Sequence, residues 1–287
     1  MNLSGHTKPF AVFGHPIGHT LSPIMHNASL RSLNMDAIYL AFDVHPDKLM
    51  SVLPSMRDLG FGGVNLTVPL KEVAFNGLEK LDDTARNLGA VNTVEFMDDG
   101  TIKGHNTDGY GFLAAINEAF GCTVKDLSVF ILGSGGAGRA VAITCAVEGA
   151  KKIVIADIDE ERTARLKNEI NKLAPSTEVE LVSNDKKLWS AASVDTDLVV
   201  QATPVGMKPD DSSLLDKEAF RSGQMIFDLV YMYPQTAFMK EAATAGAKVA
   251  NGLDMLLYQG ARAFTIWTDK EPDIEAMRIA LKESVYK

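Results

Sequence analysis

The chain has 287 residues, 46% hydrophobic and 23% charged, a composition ordinary for a globular protein and a length that suits two domains of about 100–200 residues each. A formal net charge of −9 argues against nucleic acid or an anionic membrane as partner, since both demand a basic surface. Two cysteines and six histidines without metal-ligand spacing, and no apolar window long enough for a bilayer, lead us to expect a cytoplasmic protein with no resident metal, signal peptide or membrane span.

Strand-like and helix-like patterns alternate from the start. Phe10 to Phe13 is a short apolar run, Ser22 to Leu33 reads as a helix with Pro23 in its first turn, and Ala37 to Phe42 is a second strand. Leu49, Val52, Leu53 and Met56 recur at helical spacing before a third strand at Gly62 to Val68. The expectation is a βαβαβ domain with its own parallel sheet. Val91 to Phe96 and Thr101 to Gly104, parted by a turn ending in Asp99 and Gly100, predict an appended β-hairpin. Phe112, Leu113, Ile116 and Phe120 share one face of a helix from Asp108 to Phe120, which leads to a second domain beginning near Asp126.

That second domain opens on the most informative stretch of the chain. An apolar run from Val129 to Leu132 enters Gly133, Gly135, Gly136, Ala137 and Gly138 with GxGxxG spacing. A helix-forming stretch follows, and the next apolar run, Lys152 to Ala156, ends in Asp157 about twenty residues past the last glycine. Gly133 permits a tight turn, Gly135 lets the backbone approach a pyrophosphate, and Gly138 lets helix and strand pack closely. The helix N-terminus offers N–H groups and positive dipole to phosphates. This is the pattern of a dinucleotide-binding βαβ unit.

Asp157 stands where a carboxylate accepts hydrogen bonds from the adenosine ribose, which favours NAD, because the 2′-phosphate of NADP would meet a like charge. Ile158, Asp159, Glu160 and Glu161 follow where an NADP site places an arginine and hydroxyls, and Arg162 is the dissenting cation. The alternative is that Asp157 caps the next helix. Further short strands are expected at Val179 to Val182, Asp197 to Ala202, Met225 to Val230 and Lys248 to Asn251, then helices at Leu253 to Trp267 and Asp273 to Val285.

A dinucleotide does not define a reaction, so the first domain must supply the substrate site. Four of its segments set polar residues in apolar frames: Gly18 to Pro23, Asn65 to Glu72, Gly89 to Thr93 and Gly104 to Gly109. Singly, each has a plainer reading. Thr20 or Ser22 could cap a helix, Lys71 could be a solvated loop lysine, and Asp108 could cap the connecting helix.

Together these segments resemble the shikimate dehydrogenase family, quinate/shikimate dehydrogenases included, over nearly the whole chain. Thr20 to Pro23 with His26 and Asn27 is similar to the family's S-x-S-P element, and Asn65 to Lys71 to its N-x-T-x-P-x-K signature. The likeness continues through Asn92-Thr93, Asn106 to Gly109, Gln201 to Met207, Val230-Tyr231 and Gly252 to Ala261. It implies an α/β protein of two domains: a substrate-binding catalytic domain (residues 1–107 and 260–287, the C-terminal helices returning to it) and a Rossmann domain that binds NAD(P) (residues 108–259), with a cleft between them. It further implies that Thr20 and Ser22 hold the substrate carboxylate, with Tyr231 reaching the same side. Asn65, Thr67, Asn92, Asp108 and Gln259 would bind the ring hydroxyls, and Thr203, Gly252 and Met255 would line the nicotinamide end of the cofactor site. Lys71 and Asp108 would form the acid–base pair, and the sequence does not decide which holds the proton.

The chain departs from the family pattern at Thr20 (usually serine), at Gln201 (commonly asparagine), at Tyr231-Met232-Tyr233-Pro234 in place of Tyr-Asn-Pro, at Asp269, and at Asp157-Ile158-Asp159 in place of an Asn-Arg-Thr clamp. The activity implied is interconversion of 3-dehydroshikimate and shikimate, with NAD preferred and NADP allowed. A catabolic quinate/shikimate dehydrogenase and a catalytically silent sensor are the alternatives. A homodimer is neither required nor excluded.

Overall fold

The apolar runs Val129–Leu132, Lys152–Ala156, Leu198–Gln201 and Met225–Asp228 become strands buried on both faces, which is why they read as continuous rather than alternating. The computed structural model describes residues 3–286. It divides into two units, the residues up to Gly111 with Leu256–Val285, and Phe112–Met255 with Tyr286.

In the first unit the order is β1 (Lys8–Gly14), α1 (Ser22–Ser32), β2 (Ala37–Asp43), α2 (Leu49–Asp58), β3 (Gly63–Leu66), α3 (Leu70–Gly77), β4 (Lys80–Leu81), α4 (Asp83–Leu88), β5 (Thr93–Phe96) and β6 (Ile102–His105). The sheet runs β2-β1-β3-β5-β6-β4. Only β2, β1 and β3 make the parallel core that the sequence predicts; β5 is antiparallel to both β3 and β6. The βαβαβ core is therefore parallel as expected, and the expected hairpin adds the antiparallel strands that make the whole sheet mixed. The turn between β5 and β6 is too short for a crossover, so the hairpin must pair antiparallel, and it is appended to the sheet at β3.

On one face Ala11 and Phe13 of β1 and Val64 and Leu66 of β3 pack with Leu49 and Leu53 of α2 and Leu70 and Ala74 of α3. On the other, Phe10 and Val12 pack with Leu30, Tyr39 and Phe264. Phe264 comes from α10 (Leu253–Thr268), and α11 (Ile274–Val285) packs along α1, with the Asp273 N–H donating to Ser29 Oγ at 2.9 Å. Helices α3 and α4 escape the sequence reading because each is barely two turns. Asp82 caps α4 by accepting from the Ala85 N–H at 2.8 Å, and Gly89 ends it in the left-handed region.

The second unit receives α5 (Asp108–Phe120), which begins in the first, and continues through β7 (Ser128–Leu132), α6 (Gly136–Val147), β8 (Lys152–Ala156), α7 (Glu160–Leu173), β9 (Glu178–Val182), α8 (Lys186–Val194), β10 (Leu198–Gln201), β11 (Met225–Asp228), α9 (Ala237–Thr244) and β12 (Lys248–Asn251). Its sheet, β12-β11-β10-β7-β8-β9, is parallel throughout, and the order in which strands are added reverses between β7 and β10. That reversal leaves a crevice at the carboxyl ends of the strands, where α/β sheets bind their ligands.

Candidate active site

In the first unit, Lys71 sits in the first turn of α3 and Asp108 is the first residue of α5. They are 37 positions apart in sequence, yet Lys71 Nζ lies 2.6 Å from Asp108 Oδ2. Asn92, just ahead of β5, donates to Asp108 Oδ1 and to Thr107 Oγ1, both at 2.9 Å, and its own oxygen accepts from the Thr107 N–H at 2.8 Å and the Thr93 hydroxyl at 2.9 Å. Asn106 Oδ1 accepts from the Asp108 N–H at 3.0 Å. One carboxylate oxygen is thus held by an amide, which aims the other at the lysine.

Asn65 donates to the Asn92 carbonyl at 3.1 Å and to Thr93 Oγ1 at 3.0 Å, and accepts from the Tyr39 hydroxyl at 2.7 Å. Asn65 and Asn92 are 5% and 2% exposed. Both amide hydrogens of each are already engaged, so here they build the frame of the site. Lys71, Asp108, Thr67 and Gln259 are half-buried; Gln259 donates to the Leu256 carbonyl at 2.8 Å. Thr20 Oγ1 lies 3.3 Å from Ser22 Oγ. Leu21, not Thr20 or Ser22, occupies the cap position of α1, and Thr20 Oγ1 accepts from the Ser22 N–H at 3.3 Å.

Sequence reasoning did not single out Tyr39. Burial pushes its phenol well above the ordinary range, against the pull of a hydrogen bond with Ser22, and its hydroxyl donates to Asn65 Oδ1. His26 stacks on it with ring centroids 4.2 Å apart, and burial pushes that imidazole down to about 3, which keeps it neutral. The signal was a lone tyrosine with a polar tip in an apolar strand. His105 is a second omission: its Nδ1 lies 3.0 Å from Asp82 and its Nε2 2.9 Å from Glu95. Burial works to raise Asp82, but bonds from His105, the Ala85 N–H and Thr84 outweigh it and hold the carboxyl below its usual range.

In the second unit a cavity of 950 Å³ opens at the ends of β7, β8 and β10, lined by Gly133, Gly135, Asp157, Ile158, Arg162 and Thr203 among others. Gly133 has φ +100°, and a Cβ on Gly138 would collide with the Gly133 carbonyl oxygen, which explains both glycines. Gly135 caps α6, and Gly136 and Ala137 begin it. A Cβ at Gly135 or Gly136 would meet nothing within 4 Å, so the turn faces open space beside a helix N-terminus. The residues present therefore fit the pyrophosphate of a dinucleotide.

Asp157 is 7% exposed. Its Oδ2 accepts from the Ser134 N–H at 2.5 Å and hydroxyl at 2.7 Å, and its Oδ1 from the Asp159 N–H at 2.9 Å. Burial raises this carboxyl, yet those donors and Arg162 together hold it below the usual range. Asp159, not Asp157, caps α7, accepting from the Arg162 N–H at 2.9 Å. The Arg162 guanidinium is 2.9 Å from Asp159 and 3.9 Å from Asp157, so the cavity's cation is already paired. Thr203 follows β10, its N–H donating to Gln201 Oε1 at 2.5 Å. Tyr231 follows β11, where burial pushes its phenol up. Gly252 follows β12, where a Cβ would strike the Leu229 carbonyl, and Met255 lies in α10. Tyr231, Gly252 and Met255 are not among the residues lining the 950 Å³ cavity.

A parallel sheet with a glycine turn at its reversal point, carried with a mixed α/β unit that pairs a lysine with a carboxylate, places the chain among the two-unit α/β proteins with a dinucleotide-binding fold. Residues 12–94 match the shikimate dehydrogenase substrate binding domain, and residues 252–282 the shikimate 5'-dehydrogenase C-terminal domain. The chain is 41% identical over 282 residues to the shikimate dehydrogenase (NADP(+)) of Methanothermobacter thermautotrophicus, with 98% of each chain covered. It is similar to the shikimate 5-dehydrogenase of Listeria monocytogenes, solved in complex with shikimate and NAD, at 33% identity and a TM-score of 0.92, covering 98% of each chain. It is also similar to the quinate dehydrogenase of Corynebacterium glutamicum, solved in complex with NAD, at 30% identity and a TM-score of 0.87, covering 96% of this chain and 99% of that one. The chain belongs to the shikimate dehydrogenase family and is an NAD(P)-dependent oxidoreductase. Among the described residues no helix is long and apolar enough to cross a membrane.

Proposed function

We propose that this protein interconverts shikimate and 3-dehydroshikimate in the cytoplasm, with the first unit taking the substrate and the second the dinucleotide, NAD in preference to NADP. The observation that carries the reading is the Lys71–Asp108 pair at 2.6 Å, aimed by Asn92. When bound, the nicotinamide supplies or accepts the hydride. In oxidation the C3–H bond breaks, its electron pair leaving as hydride, while the hydroxyl proton passes to the Lys71–Asp108 pair; in reduction the pair returns that proton to the developing alkoxide. Thr20 and Ser22 bind the carboxylate with Tyr231, Thr67 and Gln259 bind ring hydroxyls, and Asn65 and Asn92 contribute chiefly by holding the frame. Thr203, Gly252 and Met255 serve the nicotinamide end. The reading requires no metal, membrane or protein partner, and a homodimer is compatible with it.

NAD preference is supported by the crowd of carboxylates at the cavity edge and by the engagement of Arg162 with Asp159, which together disfavour a 2′-phosphate. The methyl that Thr20 adds beside the carboxylate site and the likeness to a quinate dehydrogenase favour testing quinate as a second substrate. The experiment is initial rates with shikimate and quinate against NAD and NADP, repeated for Asp157→Ser combined with Ile158→Arg. The wild type should show the higher kcat/KM with NAD. The double variant should move the cofactor ratio toward NADP by about tenfold or more, the worth of one charge-assisted phosphate contact. A wild type faster with NADP, or a variant with no gain on NADP, would sink the account of cofactor choice.

A further inference from the structure

Asp228, the last residue of β11, is 0% exposed and has no part in the chemistry above. Its Oδ1 accepts from the Gln201 amide at 3.2 Å and the Val230 N–H at 3.0 Å, and its Oδ2 from the Thr236 hydroxyl at 2.5 Å. Gln201 is its register partner on β10 and spends the rest of its amide on the turn beyond that strand. Its Nε2 donates to the Val205 carbonyl at 2.7 Å, and its Oε1 accepts from the Thr203 N–H at 2.5 Å. The carboxylate therefore grips, through Gln201, the turn that carries Thr203, and directly both ends of the loop that carries Tyr231.

An ionised carboxylate only accepts hydrogen bonds, and an N–H and an amide NH₂ can only donate to it, so the network suits the charged form. We propose that Asp228 is a positioning residue for hydride transfer: its ionised carboxylate holds the Thr203 turn and the Tyr231 loop in working geometry, and its protonation releases them. This rests on the roles assigned to Thr203 and Tyr231 above. Burial without a cation pushes the Asp228 carboxyl up to about 6, while Thr236, the Val230 N–H and Gln201 pull it down. Among the described residues no ionised side chain acts on it. Gln201 faces it from β10, Asn251 is its partner on β12, and α9 meets it through Thr236. Tyr231 and Tyr233 are the titratable groups of its own loop, and Lys240 and Glu241 those of α9.

The test is the pH profile of kcat/KM for shikimate in the wild type, Asp228→Asn, Thr236→Val and Thr236→Ser, with circular dichroism to check folding. The wild type should lose activity in acid with a midpoint near 6. Thr236→Val removes a bond that favours the charged form and should move that limb to higher pH, whereas Thr236→Ser, which keeps the hydroxyl, should leave it in place. Asp228→Asn should lower kcat/KM about tenfold and abolish the limb. A Thr236→Val limb unmoved from that of the wild type, or an Asp228→Asn enzyme with wild-type kcat/KM, overturns the proposal. If Asp228→Asn does not fold, the threonine pair decides alone. A wild type inactive on shikimate with either dinucleotide would instead refute the proposed function, so the two failures are distinct.

Discussion

Replacing Lys71 by alanine removes the group placed to exchange the substrate proton. Its Nζ is 2.6 Å from Asp108, and the two side chains are 29% and 16% exposed, so the contact is partly shielded but not dry. A positioned general acid–base contributes about 10²–10⁴-fold. Lys71→Ala should therefore cut kcat by about 10²-fold or more, roughly 2.7 kcal/mol at about 1.36 kcal/mol per tenfold, with a smaller change in KM for shikimate. Stability should suffer far less, by about 1 kcal/mol, because solvent screens the pair and Asn92 still donates to Asp108. If the two side chains act as one device, Asp108→Asn added to Lys71→Ala should cost little more than either alone. Initial rates followed by the absorbance of the reduced nicotinamide, with urea unfolding in parallel, measure both quantities. Near-normal turnover in Lys71→Ala, or fully additive losses in the double variant, would remove the pair from its role.

His105→Asn takes away an imidazole whose two nitrogens each meet a carboxylate, leaving Asp82 and Glu95 short of a buried partner; urea titration should show a loss of about 2–3 kcal/mol. A loss under about 0.5 kcal/mol would make the contact a surface-like one. Asp228 makes a pH prediction with a defined sign. Because its folded value is raised from 3.8 to about 6, its contribution to stability is fully present below pH 3.8 and is lost as pH rises through about 6. The stability of the wild type relative to Asp228→Asn should fall by about 3 kcal/mol across that window, read by urea unfolding at several pH values; a constant difference would contradict the buried, raised carboxyl.

The elements were legible where the code is local. Burial on both faces writes β7, β8, β10 and β11 as apolar runs, and the demand for a positive φ and a bare Cα writes Gly133 and Gly138, so the dinucleotide unit could be read from neighbouring residues alone. Lys71 and Asp108 could be named from sequence, but only the pairing of β3, β5 and β6 brings residues 37 apart to 2.6 Å. The placement of β5 beside β3, the bond from Tyr39 to Asn65, the tie between Asp157 and Ser134, and the network on Asp228 had no local trace. A buried polar group must find a partner, and which partner it finds depends on which distant strands become neighbours. Periodicity along the chain thus determined the longer elements and the glycine turn, while the tertiary fold alone decided where each buried hydrogen bond went.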